Sequence, residues 1–249
     1  MNMAVRQSLR FWIVSAATVL TLVVTAALGV WQLDRAAQKL ALQEQIEQRA
    51  ALPAWHTPDL LRAADPTQGL HRPLRLKGHW VPASSVFLDN RQMEGRVGFF
   101  LVTALRLEGS ERAVLVQRGW VPRDFMDRSR LPAIDTPAGL VDIAGRLAPA
   151  PAKLFQLGSA DAGPIRQNLD PEAFARETGL NVLHVSVLQT DAAADGLRRD
   201  WPRVASDVHK HHGYAFQWFG LCALTAFLYL WFQIISPRRE QLRHGTALG

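Results

Sequence analysis

Apolar residues are concentrated near the two ends of this chain, in long runs over residues 11–30 and 214–235, and neither run carries a charge. A bilayer core of roughly 30 Å is crossed by about 20 helical residues. A charge at mid-bilayer costs at least ~2.5 kcal/mol on insertion scales, so runs this clean are poorly suited to a soluble surface. The pattern therefore predicts two membrane helices bracketing one polar domain held on a single side.

The helical pattern outlasts the first run. Residues 36–50 are rich in Ala, Leu, Gln and Glu and contain neither Gly nor Pro, which predicts one helix from near Arg10 to about Arg49, with Pro53 as its stop. Between the runs the period changes to two. Residues 74–80 alternate, with Leu74, Leu76 and Gly78 set against Arg75, Lys77 and His79. A strand at Val86-Phe87-Leu88 is expected to stop at the turn-prone Asp89-Asn90-Arg91. Residues 97–107 and 113–121 predict a hairpin, and residues 141–147 and 182–188 two more strands. Residues 171–178 predict a short helix, capped by Asp170, opened by Pro171 and closed by Gly179. The expected fold class is a membrane protein of α+β type, with a compact, antiparallel, β-rich extracytoplasmic domain. The expected division is a cytoplasmic segment 1–10, a span 11–33 whose helix continues to about 50, a domain 51–208, a span 213–235 and a cytoplasmic tail 236–249.

Composition narrows the possibilities. The chain has 249 residues, 48% of them hydrophobic and 20% charged, with a formal net charge of +6. The basic residues are dispersed rather than blocked, which argues against a nucleic-acid surface. Arg6 and Arg10 precede the first run, and Arg238, Arg239 and Arg243 follow the second, so both termini are expected in the cytoplasm. The first run is longer than a signal-peptide core and is not followed by a clean cleavage site, which makes it an uncleaved anchor. With only ten residues ahead of it and no mitochondrial presequence, the expected location is a bacterial inner membrane. The single cysteine, Cys222, excludes an intrachain disulfide. No nucleophile elbow, zinc-protease, P-loop or dinucleotide motif occurs. His56, His71, His79 and His184 are scattered, so catalysis by the middle domain has no support in the sequence.

Candidate chemistry collects at the polar ends of the two runs. Three imidazoles, His209, His211 and His212, stand just before the second. In a helix beginning near His211, that residue, Tyr214 and Trp218 share a face, with Gln217 close by. Neutral imidazole ligates haem iron axially, and an aromatic face beside it can cover a porphyrin. The same residues also suit a membrane interface, where aromatic belts sit. On the first helix Gln32, Arg35 and Lys39 form one stripe, with Trp31 beside it. That stripe suits either snorkelling toward lipid phosphates or a clamp for the carboxylates of a haem.

Motifs in consistent order along nearly the whole chain are similar to those of the surfeit locus protein one family. They run from Gly29-x-Trp31-Gln32-x-x-Arg35-x-x-x-Lys39 through Arg72-Pro73 and Leu76-x-Gly78-x-Trp80 to Leu88-Asp89-Asn90-Arg91 and Gly95-Arg96-x-Gly98. Gln117-Arg118-Gly119-Trp120-Val121-Pro122, Gln167-Asn168-Leu169-Asp170, Asp195-Gly196-Leu197 and Trp201-Pro202 follow, then His211-x-Gly213-Tyr214-Ala215-x-Gln217-Trp218-Phe219. The resemblance implies an assembly chaperone for haem-copper cytochrome c oxidase rather than an enzyme, binding haem a transiently and supporting its insertion into subunit I. Haem A synthase and membrane lipid would be further partners, and nucleic acid would not. It makes His211 the axial ligand of the haem iron, in a pocket shaped by Tyr214, Gln217, Trp218, Trp31, Gln32 and Arg35. Arg166 and Gln117 depart from the family pattern, where an aromatic residue and Asn are expected. The competing expectation is a cofactor-free scaffold that holds an oxidase assembly intermediate; a haem-modifying enzyme is a third.

Overall fold

The structure, a computed structural model, describes residues 3–124, 126–127, 130–155, 163–192, 195–202 and 207–236, with side chains from Leu9 onward. The tail with Arg238, Arg239 and Arg243, and the Arg6 side chain, lie outside the described residues. Two compact units are present, Met1–Gln43 with Arg203–Gly249, and Glu44–Pro202.

Helix α1 (Met3–Ala50), which belongs to the first unit as far as Gln43, begins earlier than Arg10 and ends close to the expected stop. Helix α4 (Val208–Tyr229) continues as a π-helical turn, Leu230–Ile235. Both are long and apolar enough to cross a membrane. Most of their partly or fully buried positions recur every three or four residues: Ser15, Thr18, Leu22, Thr25, Gly29, Gln32, Ala36 and Lys39 on α1, and Val208, His211, Ala215, Trp218, Cys222, Thr225 and Tyr229 on α4. That spacing is the seam of two helices crossing at a shallow angle. The pairing is antiparallel. The Ser15 and Tyr229 hydroxyls are 2.7 Å apart, and Cys222 Sγ lies 3.7 Å from the Leu22 carbonyl oxygen. At the other end His211 meets Gln32.

The second unit is a β-barrel. Its strands are β1 (Trp55–His56), β2 (Pro73–Met93), β3 (Arg96–Leu107), β4 (Arg112–Pro122), β5 (Leu140–Ala148), β6 (Ile165–Arg166) and β7 (Asn181–Gln189). The order β2-β3-β4-β7-β5 closes when β5 also pairs with the first half of β2. Leu76, Leu105, Leu107, Val114, Val116, Leu147 and Val187 fill the interior with essentially no exposure. Each such side chain contributes about 1.5–3 kcal/mol by leaving water. The short helices α2 (Thr57–Arg62) and α3 (Pro171–Thr178) cover parts of this sheet. α3 forms as its sequence predicts. Asp170 accepts from the Glu172 and Ala173 amides at 3.1 Å, and Gly179 closes the helix at φ 69°.

Three sequence expectations are corrected here. The sheet is mixed, because β4 and β7 run parallel, as do β1 and β6 beside β2. β2 does not stop at Asp89-Asn90-Arg91: a bulge takes up Asn90 at φ 59°, and pairing resumes at Arg91 opposite Gly98. Asn tolerates that left-handed conformation, so a turn-forming triplet becomes a bend within one strand. α4 begins at Val208 rather than near His211, its first turn held by Lys210 Nζ donating to Asp207 Oδ1 at 2.7 Å.

Candidate functional site

The chemistry-bearing positions of the helix pair gather at one end of its seam. His211 and Gln32 are both half-buried, and His211 Nδ1 lies 2.8 Å from Gln32 Oε1. A carboxamide oxygen only accepts, so the imidazole must donate its Nδ1 proton. In the neutral imidazole this contact would leave the lone pair on Nε2, the arrangement used where a second group orients a ligating histidine. On the next turn Ala215 is buried, and the Phe219 ring lies against Gly29. A Cβ at position 29 would stand 2.7 Å from two Phe219 ring carbons, so only glycine admits the ring there.

Of the other predicted residues, Trp218 stays in the seam and the rest occupy a different face. Tyr214 is 52% exposed, Gln217 is exposed and Trp218 half-buried; on α1, Trp31 is 48% exposed and Arg35 is exposed. Helical residues advance by about 100° each, and two antiparallel helices turn in opposite senses when viewed end-on. Trp31 and Arg35 therefore fall on the same flank of the seam as Tyr214 and Gln217, while Gly29 and Phe219 close the other flank. The Arg35 guanidinium carbon lies 5.6 Å from the centre of the Trp31 ring, and Nη1 donates to Gln38 Oε1 at 3.2 Å. Lys39 turns into the seam instead of joining Arg35 on that flank.

The structure thus brings His211 and Gln32 into direct contact and sets Trp31, Arg35, Tyr214 and Gln217 on the open flank beside them. His209 and His212 are exposed. Among the described residues no three His, Cys, Asp or Glu side chains form a cluster able to hold a free metal ion. A haem iron asks less, a single axial imidazole beside flat apolar surface.

Sequence reasoning missed two features. The first is the seam, legible as the three-and-four spacing of small and polar residues from Ser15 to Lys39. The second is Arg118, which the β4 bulge between Gln117 and Gly119 turns inward to 2% exposure. The two departures from the family pattern are accommodated locally. Gln117 Nε2 donates to Ser186 Oγ at 2.9 Å, and Arg166 makes a two-pronged bond to Glu177.

Fold and site together define a membrane-anchored protein: two paired helices carry one oriented histidine at the polar end of their seam, and the stretch of sequence between them forms a β-barrel. Residues 19–223 match the model of the SURF1 family, most of the chain, and the chain belongs to that family. It is 24% identical to a SURF1-like protein of Rickettsia bellii over 90% of this chain and 92% of that one. It is 28% identical to surfeit locus protein 1 of Mus musculus over 83% of this chain and 70% of the mouse protein. Over 41% of the chain and 26% of the relative, it is 27% identical to the cytochrome oxidase assembly protein SHY1 of Saccharomyces cerevisiae.

Proposed function

We propose that this protein is an assembly factor for haem-copper cytochrome c oxidase that holds haem a transiently on its helix pair and supports its transfer to subunit I. It catalyses no reaction. The observation that carries the reading is the 2.8 Å contact between His211 Nδ1 and Gln32 Oε1, which orients the ring with Nε2 as the nitrogen that would meet an iron. The residues present suit the group. Tyr214, Trp218 and Trp31 offer flat apolar surface, Gln217 a polar edge, and Arg35 a fork-shaped cation for a propionate. The redox chemistry of haem a belongs to the oxidase that receives it; here its iron has only to be ligated. The family membership and the yeast relative's name support the same role.

Arginines at positions 6, 10, 238, 239 and 243 support an orientation with both flanks of the helix pair in the cytoplasm, at a bacterial inner membrane in this reading. The barrel and the histidine end of the seam then lie on the periplasmic side of the inner membrane, in contact with lipid, with subunit I and haem A synthase as the partners. His211→Ala tests this directly. Protein purified in detergent from cells that make haem a should carry haem as wild type and lose it in the variant. Equal haem recovery from both overturns the ligand assignment. Haem absent from both, with normal folding and haem supply, points instead to a cofactor-free scaffold for an assembly intermediate.

A further inference from the structure

Helix α1 ends on the barrel beside an arginine that has no partner. Every other buried or half-buried arginine of the barrel unit donates to a carboxylate or a carbonyl oxygen. Arg123 reaches Asp89, Arg199 Asp195, Arg166 Glu177 and Arg91 the Gln167 carbonyl, and the rest are held likewise. Arg146 of β5 is half-buried and makes no hydrogen bond or ion pair among the described residues. None of its nitrogens is enclosed, unlike the Nε atoms of Arg72, Arg91, Arg118 and Arg123, so a ligand atom can reach them.

Two further nitrogen-bearing side chains stand beside it. The chain before β2 runs along β5, with His71 N–H donating to the Leu147 carbonyl at 2.7 Å and Leu147 N–H to the Arg72 carbonyl at 3.0 Å. His71 holds φ 70°, a left-handed conformation uncommon for a residue with a Cβ and kept only where its surroundings enforce it. Arg49, near the end of α1, donates from Nη1 to the Gln68 and Leu70 carbonyls at 2.8 and 3.2 Å. Its Nε and Nη2 stay unspent, next to His71. Arg72 is engaged elsewhere, with Nη2 on the Pro53 carbonyl at 2.8 Å and its guanidinium 5.3 Å from the Trp55 ring centre. Burial first, then the charges of Arg146 and Arg49, hold the His71 pKa below 6.5, and no carboxylate offsets them. Burial alone lowers the pKa of Arg146, again with no acid to oppose it.

Two cations facing one imidazole on half-buried ground, without a counter-ion, carry a cost that an anion between them relieves. The free N–H groups of Arg49 and Arg146 outnumber what the two oxygens of a carboxylate can accept. They also approach from separate segments, which suits the tetrahedral oxygens of a phosphate. We infer that Arg49, His71 and Arg146 form a binding site for a phosphate group, carried either by a soluble phosphate compound or by a lipid headgroup. Held by Arg49 of α1 and Arg146 of β5 together, the phosphate ties the end of the long helix to the barrel wall. The inference stands independently of the haem reading.

The test uses the full chain in neutral detergent micelles and phosphate-free buffer, with the His71 imidazole followed by NMR and its signal assigned by loss in His71→Asn. Inorganic phosphate should raise the His71 pKa relative to sodium chloride of equal ionic strength, because a bound anion favours the charged imidazole. Arg146→Gln should weaken that response about tenfold or more, the worth of a charge-assisted hydrogen bond. Phosphatidylglycerol added to the micelles, against phosphatidylcholine, which has no net charge, separates the sources. A response to inorganic phosphate assigns a soluble ligand, and a response to phosphatidylglycerol alone assigns a lipid. In chloride, Arg146→Gln should melt no lower than wild type, since the side chain it removes bonds to nothing and repels its neighbours. A lower melting temperature would show that the guanidinium serves the fold instead, and would overturn the site. So would acetate acting as strongly as phosphate, or Arg146→Gln responding like wild type. A His71 signal that neither phosphate nor phosphatidylglycerol moves overturns it without any variant.

Discussion

Removing the carboxamide that orients the histidine, by Gln32→Leu, tests the site more sharply than removing the histidine. Leucine nearly matches glutamine in size, so the seam keeps its packing and loses only the acceptor 2.8 Å from His211 Nδ1. A neutral intramolecular bond has a net worth of about 0.5–1.5 kcal/mol, and hydrogen-bond partners of a ligating histidine typically alter metal affinity about 10–100-fold. Both residues are only half-buried, so water can replace part of what is lost, which sets the expectation at the lower end, about 3–10-fold weaker haem a binding. Gln32→Glu, which retains the acceptor and adds charge, should hold haem at least as well as wild type and lower its reduction potential. Haem a titration into detergent-purified protein, followed by absorbance, gives the affinities, and redox titration of the loaded protein gives the potential. In a His211→Ala background Gln32→Leu should have no further effect. Wild-type affinity and potential for both Gln32 variants would refute the argument, since the imidazole would then need no orienting partner.

Two further predictions concern stability. Gly29→Val places side-chain atoms where the Phe219 ring lies, 2.7 Å from a Cβ, and should destabilise the helix pair by about 1–3 kcal/mol in detergent melting; Phe219→Ala in the same chain should restore part of the loss, and a Gly29→Val melt identical to wild type would contradict the seam. The His71 imidazole is held below its ordinary pKa of 6.5, first by burial and then by Arg146 and Arg49. As pH falls the unfolded chain takes up this proton before the folded one, so the contribution is complete above about 6.5 and is lost as pH drops through the lowered value. The melting temperature should therefore fall between about pH 7.5 and 5.5. His71→Asn, which tolerates the backbone φ of 70°, should flatten that slope, and an equal slope in both proteins would show that His71 is not its source.

The fold was largely legible, because its strongest signals are local. Charge-free runs, the period-two stretch at Leu74–Trp80 and the Asp170-Pro171…Gly179 helix boundaries each depend on neighbouring residues alone. What local pattern could not give was strand partnership. That β4 lies beside β7 in parallel, and that β5 closes the barrel onto β2, are set by packing between segments far apart in sequence. Asp89-Asn90-Arg91 misled for a related reason: the turn chemistry is present, but Arg91 anchors the continuing strand by donating to the Gln167 carbonyl at 2.8 Å. At the helix pair, sequence supplied residue types and faces. The contact between Gln32 and His211 joins positions 179 residues apart, and only the antiparallel seam brings them together.

That seam also bears on why a single histidine suits the proposed role. A permanent haem site encloses the macrocycle and commonly ligates iron on both sides. Here one nitrogen is oriented, the adjoining flank stays open along Trp31, Arg35, Tyr214 and Gln217, and the opposite flank is sealed by Phe219 against Gly29. A haem held by His211 on such a surface would stay accessible to an acceptor along this flank, and its release would need no pocket to open. Introducing a second ligand on the open flank, by Tyr214→His, should then raise haem retention in the purified protein while slowing its transfer to apo-oxidase. If retention rises and transfer is unimpaired, the openness of this flank is not what makes the site a donor.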